Sequence, residues 1–184
     1  GYDLKKGIYT TVEADVTEPG SVVLGARLFG DIVRKLPDGV VFISSDANNM
    51  VTIRCSNAEF SVMGNAAEDY PELPVMDYMS SISLSQDVLS SMIEETIFAV
   101  SENESRPVYT GILFEIENDE LTMVALDGYR LALRKEAIDR CDVEKCSFIV
   151  PGAALADLEK LCSDPTETVK ITVGSKHVSF SVGN

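Results

Sequence analysis

Three stretches of this chain repeat one arrangement of apolar and polar positions. Residues 21–33, 81–93 and 147–159 each open with a four-residue β-prone run and then change to helical spacing. The apolar positions fall in register: Leu28, Phe29 and Ile32 in the first; Val88, Leu89 and Met92 in the second; Ala154, Leu155 and Leu158 in the third. One buried stripe per helix is expected. The helices are predicted to begin near Leu24, Ser85 and Pro151, with Ser85 as an N-cap and Pro151 at the first helical position.

Alternating strands follow each helix. The pattern predicts strands over 40–44, 51–55 and 59–63, over 109–117, 121–125 and 129–135, and over 169–173 and 178–182. Asp46-Ala-Asn-Asn, Ser56-Asn57, Asn118-Asp119 and Asp127-Gly128 break them as turns. The unit is a strand, a helix and a meander of strands, recurring at intervals of roughly sixty residues. A further strand region is expected over 4–16. The third unit lacks a final strand, so the chain reads as cut from something longer at both ends. Between the first two units, Tyr70-Pro-Glu-Leu-Pro74 marks an extended linker. The expected division is 1–65 as half of one domain, 66–80 as linker, and 81–184 as most of a second domain, in an α+β fold.

Composition narrows the function more than the fold. The chain is 45% hydrophobic, enough for a proper core, and its longest apolar runs, such as Val40-Val41-Phe42-Ile43, are too short to span a membrane. No basic-then-apolar leader is visible, so a cytoplasmic protein is expected. Cys141 and Cys146 enclose four residues, but with no second cysteine pair and only His177, reduced thiols are expected in place of a metal site or cofactor. His177 is expected at a surface or strand edge. Asn103-Glu104-Ser105 matches a glycosylation acceptor and carries little weight without a secretion signal. Thirty acids against fifteen bases give a net charge of −15, unlike a conventional DNA-binding domain with its basic patch.

An ordered set of short strings then becomes informative. Gly1-Tyr-Asp-Leu, Ala26-Arg-Leu-Phe with Lys35-Leu-Pro37, Asp69-Tyr-Pro-Glu-Leu-Pro74, Thr96-Ile-Phe-Ala-Val-Ser101, Arg106-Pro107, Asp127-Gly-Tyr-Arg-Leu-Ala132 and Val150-Pro-Gly occur in that order. Together they resemble the bacterial DNA polymerase III beta subunit family, the sliding clamps. The resemblance runs over essentially the whole chain. It implies a DNA-clamp fold of repeated β-α-β-β-β units, with antiparallel sheets outside and helices lining an inner face. It implies a non-catalytic subunit that closes as a homodimer around double-stranded DNA and tethers the polymerase. Polymerase III alpha subunit, clamp loader and other clamp-binding proteins are the implied partners. Encirclement needs few tight ionic contacts, which answers the objection from acidity.

Site residues follow from the same resemblance, each beside a plainer reading. Arg27, Arg34 and Lys35, with Asp31 among them, give the first helix a basic face; this is either DNA-facing lining or a solvated surface. Lys160 and Arg106 are the further DNA-facing candidates, although the second helix presents Asp87, Glu94 and Glu95 there. Arg106, Tyr109, Leu126, Gly128, Tyr129, Arg130 and Leu131 are expected beside a groove for short clamp-binding peptides. Asp127-Gly128 is equally a hairpin signal, and the family commonly has Thr and His where this chain has Leu126 and Tyr129. Phe60, Val62 and Ile32 are expected at the subunit interface, the plainer reading being an ordinary core. Neither a nucleophile–base pair nor a phosphate loop is legible, which disfavours an enzyme. An acidic repeat scaffold that never touches DNA is the remaining rival.

Overall fold

The computed structural model describes residues 1–138, 140–141 and 145–183, with Arg140 and Cys141 described by their backbone alone. The chain divides into two compact units, Gly1–Leu73 and Pro74–Asn184, parting within the proline-containing stretch.

In the first unit a short helix, α1 (Ala26–Val33), precedes a three-stranded antiparallel meander of β1 (Val41–Ser45), β2 (Met50–Cys55) and β3 (Ala58–Met63), with β2 in the middle. The turn chemistry is local. The Asp46 carboxylate accepts the backbone N–H groups of Asn48 and Met50 at 2.9 and 2.8 Å, and Asn49 takes a left-handed conformation that asparagine tolerates well. Strict alternation in β2 turns Val51, Ile53 and Cys55 inward. Val51 and Ile53 join Ile32 and Val62 to form a small core, against which Phe29, Leu36 and Phe60 pack.

Three expectations fail in this unit, two of them for one reason. The run opening the first repeat forms a single bridge, Val23 to Asn65, and residues 4–16 form no strand. Leu28 is half exposed, and α1 turns Phe29 and Ile32 to the sheet instead. An isolated strand in water neither pairs its backbone nor buries its apolar face, and residues 4–16 have no covering partner here: Leu4, Ile8, Val12 and Val16 stay exposed.

The second unit holds two helical repeats, the first with a meander of three strands and the second with two. Its elements are β4 (Ser80–Ser85), α2 (Gln86–Ile97), β5 (Gly111–Glu117), β6 (Glu120–Leu126), β7 (Leu131–Ala137), β8 (Arg140–Cys141), β9 (Lys145–Pro151), α3 (Gly152–Leu161), β10 (Thr168–Val173) and β11 (Val178–Val182). Two antiparallel four-stranded sheets result, ordered β7-β6-β5-β9 and β11-β10-β4-β8. The leading strand of each repeat therefore joins the meander of the other: β9 pairs with β5, and β4 pairs with β10. That exchange covers two sheet edges that would otherwise be open. The helices pack on each other and on both sheets around one core that includes Ile82, Leu89, Met92, Phe114, Met123, Leu155 and Ile171. Phe114 stacks on Phe148 with ring centroids 5.1 Å apart and meets Phe180 of the other sheet edge-on at 6.4 Å.

Helix boundaries follow the predicted stripes closely. Ser85 is the N-cap of α2, whereas Pro151 caps α3 from outside and Gly152 takes the first helical position. Gly111 is required by crowding: a Cβ there would lie 2.5 Å from the Val150 carbonyl oxygen on β9. Asn118 and Asp119 both adopt positive φ and make the tight β5–β6 hairpin. His177 is exposed in the β10–β11 turn. Cys55, Cys146 and Cys162 are thiols outside any disulfide, and the Cys141 side chain lies outside the described residues. Among the described residues, no group of His, Cys, Asp and Glu could hold a metal, and no helix is long and apolar enough to cross a membrane.

Candidate functional site

The second unit carries an open hollow of about 920 Å³ where the end of α2, the loop after it and the β6–β7 turn converge. Its walls come from Phe98, Ser101, Glu102, Asn103, Arg106 and Tyr109 on one side of the sequence and Asp127, Gly128, Tyr129 and Arg130 on the other. Helix α2 buries Leu89, Met92, Ile93 and Thr96. Phe98 follows as the C-cap, off that stripe, and its ring is more than half exposed.

The loop after α2 is built from its own hydrogen bonds. Ser101 N–H donates to the Tyr109 carbonyl at 2.8 Å, and the Ser101 hydroxyl oxygen accepts the Asn103 N–H at 3.1 Å. Asn103 Oδ1 accepts the Ser105 N–H at 2.9 Å. Pro107–Thr110 forms a 3-10 turn with Arg106 at its N-cap, so Tyr109 lies on this turn and not on the strand predicted from 109. The Arg106 guanidinium sits over the Tyr109 ring, 5.9 Å from its centroid.

The opposite wall is the Asp127 turn. Gly128 has φ of +95°, a conformation that glycine adopts without cost. Tyr129 lies in this turn and is fully exposed, whereas β7 was expected to start there; the strand begins at Leu131 because the turn's left-handed geometry breaks the extended run. Asp127 Oδ1 accepts the backbone N–H of Tyr129 at 2.9 Å and of Arg130 at 3.1 Å, and Oδ2 accepts Arg130 Nε at 2.8 Å. The Tyr129 N–H is the largest cause holding the Asp127 carboxyl below its usual range, and Arg130 adds to it. Arg130 also lies over Phe98, 5.7 Å from the ring centroid. Arg134 of β7 makes an ion pair with Glu95 of α2 at 3.0 Å and another with Glu136, linking the strand to the helix.

Of the predicted groove residues, Arg106, Tyr109, Gly128, Tyr129 and Arg130 line this hollow. Leu126 and Leu131 do not; they face each other at the strand ends beneath the turn. Phe98 and Asp127 line it too, although sequence reasoning did not select them for it. The signal was present in Phe98, an aromatic side chain displaced from its helix's apolar stripe.

The other predicted residues are dispersed. Arg27 is exposed on α1, Arg34 follows that helix and pairs with Asp31 at 2.6 Å, and Lys35 lies beyond it. Lys160 is in the last turn of α3, 3.5 Å from Asp157, while Asp87, Glu94 and Glu95 are the exposed charges of α2. The Ile32 and Val62 side chains are buried in the first unit's own core, so they offer no surface to a partner. Inward alternation explains this: β3 presents Glu59, Ser61 and Met63 outward, with Phe60 partly buried.

Comparison with known proteins supplies the context for this geometry. The sequence profile for the DNA polymerase III beta subunit, central domain, matches residues 83–184, and that for its N-terminal domain matches residues 1–74. The beta sliding clamp of Bacillus subtilis (strain 168) is 38% identical over 169 residues, 92% of this chain and 45% of that protein. Its Staphylococcus aureus (strain COL) counterpart is 41% identical over 170 residues, again 92% of this chain and 45% of the relative. The crystal structure of the Bacillus subtilis DNA polymerase sliding clamp gives a TM-score of 0.85 at 38% identity, covering 91% of this chain and 44% of that one. The DNA polymerase III subunit beta from Pseudomonas aeruginosa gives 0.85 at 26% identity, covering 92% and 46%. The chain thus spans less than half the length of these relatives. Its fold is the DNA-clamp fold, and the chain belongs to the DNA polymerase III beta subunit family.

Proposed function

We propose that this chain is part of a non-catalytic sliding clamp, which encircles duplex DNA as a ring and tethers the replicative polymerase. The observation that carries this is the exchanged pair of strand-helix-meander repeats in the second unit, shared with relatives named sliding clamps. Residues Gly1–Leu73 correspond to the second half of a first clamp domain and Pro74–Asn184 to most of a second. The full-length protein closes as a homodimer in the cytoplasm, with the exposed backbone edge of β3 available for pairing across subunits. Arg27, Arg34 and Lys35 face DNA, with Lys160 and Arg106 as weaker contributors. Arg34 and Lys160 already have carboxylate neighbours, so each adds little to the salt dependence of binding. Sequence-independent retention then comes from topology, and a chain of net charge −15 still holds DNA.

The hollow beside Arg130 takes short peptides from the polymerase alpha subunit, the clamp loader and other clamp-binding proteins. Apolar peptide side chains anchor against Phe98, Tyr109 and Tyr129, and polar groups fix the register. Tyr129, which stands where the family commonly has His, lines the hollow and alters peptide preference there, whereas Leu126 lies outside the lining. The test uses the full-length protein loaded onto a nicked circular plasmid. It stays bound to the circle and slides off after linearisation. Equal retention on both forms overturns encirclement and favours a protein scaffold.

A further inference from the structure

We propose that Asp127 is the positioning residue of the hollow, fixing the Arg130 guanidinium against Phe98 before any peptide arrives. The inference rests on reading the hollow as the peptide groove. One carboxylate does two jobs here. Its Oδ1 accepts two successive backbone N–H groups and sets the turn, and its Oδ2 takes Arg130 Nε and sets the side-chain rotamer. The Phe98 ring supports the flat face of the guanidinium at 5.7 Å. Because the ion pair uses Nε, the two terminal nitrogens remain as donors for a carbonyl or carboxylate oxygen on an extended peptide.

Exposure argues against a purely structural role. The Asp127 side chain is 17% exposed and that of Arg130 is 57% exposed. With its arginine this open to water, the ion pair adds little to folding stability. It does restrict a long side chain with many rotamers, and ordering a binding group in advance lowers what association must order later. Arg106 is the internal contrast. It stacks on Tyr109 but, among the described residues, has no carboxylate in an ion pair, so only one of the two arginines is held at both face and edge. The depressed carboxyl pKa keeps Asp127 ionised throughout the physiological range.

The experiment uses the full-length protein and a fluorescein-labelled peptide from the polymerase alpha-subunit tail, read by anisotropy. Asp127→Asn keeps an oxygen for the two backbone N–H groups and removes the negative charge. It is expected to weaken the peptide about five- to tenfold, with Arg130→Ala weakening it at least as much. The double variant should bind no more weakly than Arg130→Ala alone. In parallel, the Arg130 Nε–H cross-peak in nitrogen-15 spectra should broaden or vanish in Asp127→Asn, while the Tyr129 and Arg130 backbone amides stay in place. If the wild type does not bind, or Arg130→Ala binds normally, the groove reading is lost and this proposal with it. If Arg130→Ala weakens binding but Asp127→Asn does not, or the Nε–H peak survives in Asp127→Asn, the groove stands and the positioning role is overturned. Additive losses in the double variant also overturn it.

Discussion

The two units of this chain are made from the same repeat, yet only one of them pairs two copies of it. In Pro74–Asn184 two repeats exchange leading strands, and each helix finds a sheet already widened by the other repeat. The result is one core that runs from Ile82 through Phe114 to Ile171. In Gly1–Leu73 a single repeat has three strands, an eight-residue helix and a core of Ile32, Val51, Ile53 and Val62. Its β1 is exposed on both faces, with Phe42 and Ile43 open to solvent. The difference teaches that the repeat specifies its own helix and meander but not its leading strand, which needs a second repeat to receive it.

Separating the units breaks this comparison most severely. Residues 74–184 expressed alone should unfold in one cooperative thermal transition. Residues 1–73 alone should show a broad, weak transition, because too little apolar surface is buried to offset chain entropy. Two sharp transitions of similar midpoint would contradict the contrast. A smaller effect comes from the core: Phe114→Ala, which removes a ring touching both sheets, should cost about 3–5 kcal/mol in chemical denaturation. Ile53→Val in the first unit should cost only about 0.5–1.5 kcal/mol.

Glycine substitutions sharpen the same point. Gly111→Ala forces its methyl group against the Val150 carbonyl and should cost about 1–3 kcal/mol, loosening the β5–β9 pairing on which the exchange depends. Gly25, the N-cap of α1, has open space around it, and Gly25→Ser should stabilise that helix by a few tenths of a kcal/mol through a new cap. The smallest effect is the response to acid. Asp77, Asp127 and Asp164 have carboxyls held below their ordinary value of 3.8 by hydrogen bonds to Ser175, to the Tyr129 N–H and to Thr166 respectively. A depressed folded-state pKa means that this stability is present above the unfolded value and lost as pH falls through and below it. Stability in denaturant should therefore be flat in this respect above about pH 5 and decline below pH 4; a decline beginning at pH 6 would contradict it.

Much of this was legible in the sequence because the informative signals are local. Apolar spacing located all three helices, and Asn118-Asp119 and Asp127-Gly128 marked hairpins from turn chemistry alone. The family resemblance also groups Arg106, Tyr109, Gly128, Tyr129 and Arg130, and these five line one hollow. What was illegible depends on partners distant in sequence. The exchange of β4 and β9 cannot be read from either strand, since each alternates in the same way wherever it pairs. Residues 4–16 carry a strand pattern and form none, for want of a partner. Ile32 and Val62 were expected at an interface, but the inward face of a helix or half-buried strand and a face turned toward another chain look alike in sequence. Asp127 was legible as a turn residue, whereas its hold on Arg130 required seeing the side chain fold back.

Native-state hydrogen exchange on the full-length protein tests most directly whether the exchanged repeats form one cooperative unit. The backbone amides of Ile82 and Leu84 on β4, Phe114 on β5 and Val150 on β9 should share a single opening free energy, higher than that of Val51 and Ile53 on β2. Should β4 open separately from β5 and β9, or β2 prove the best protected of all, the pairing of repeats would not be what holds this domain together.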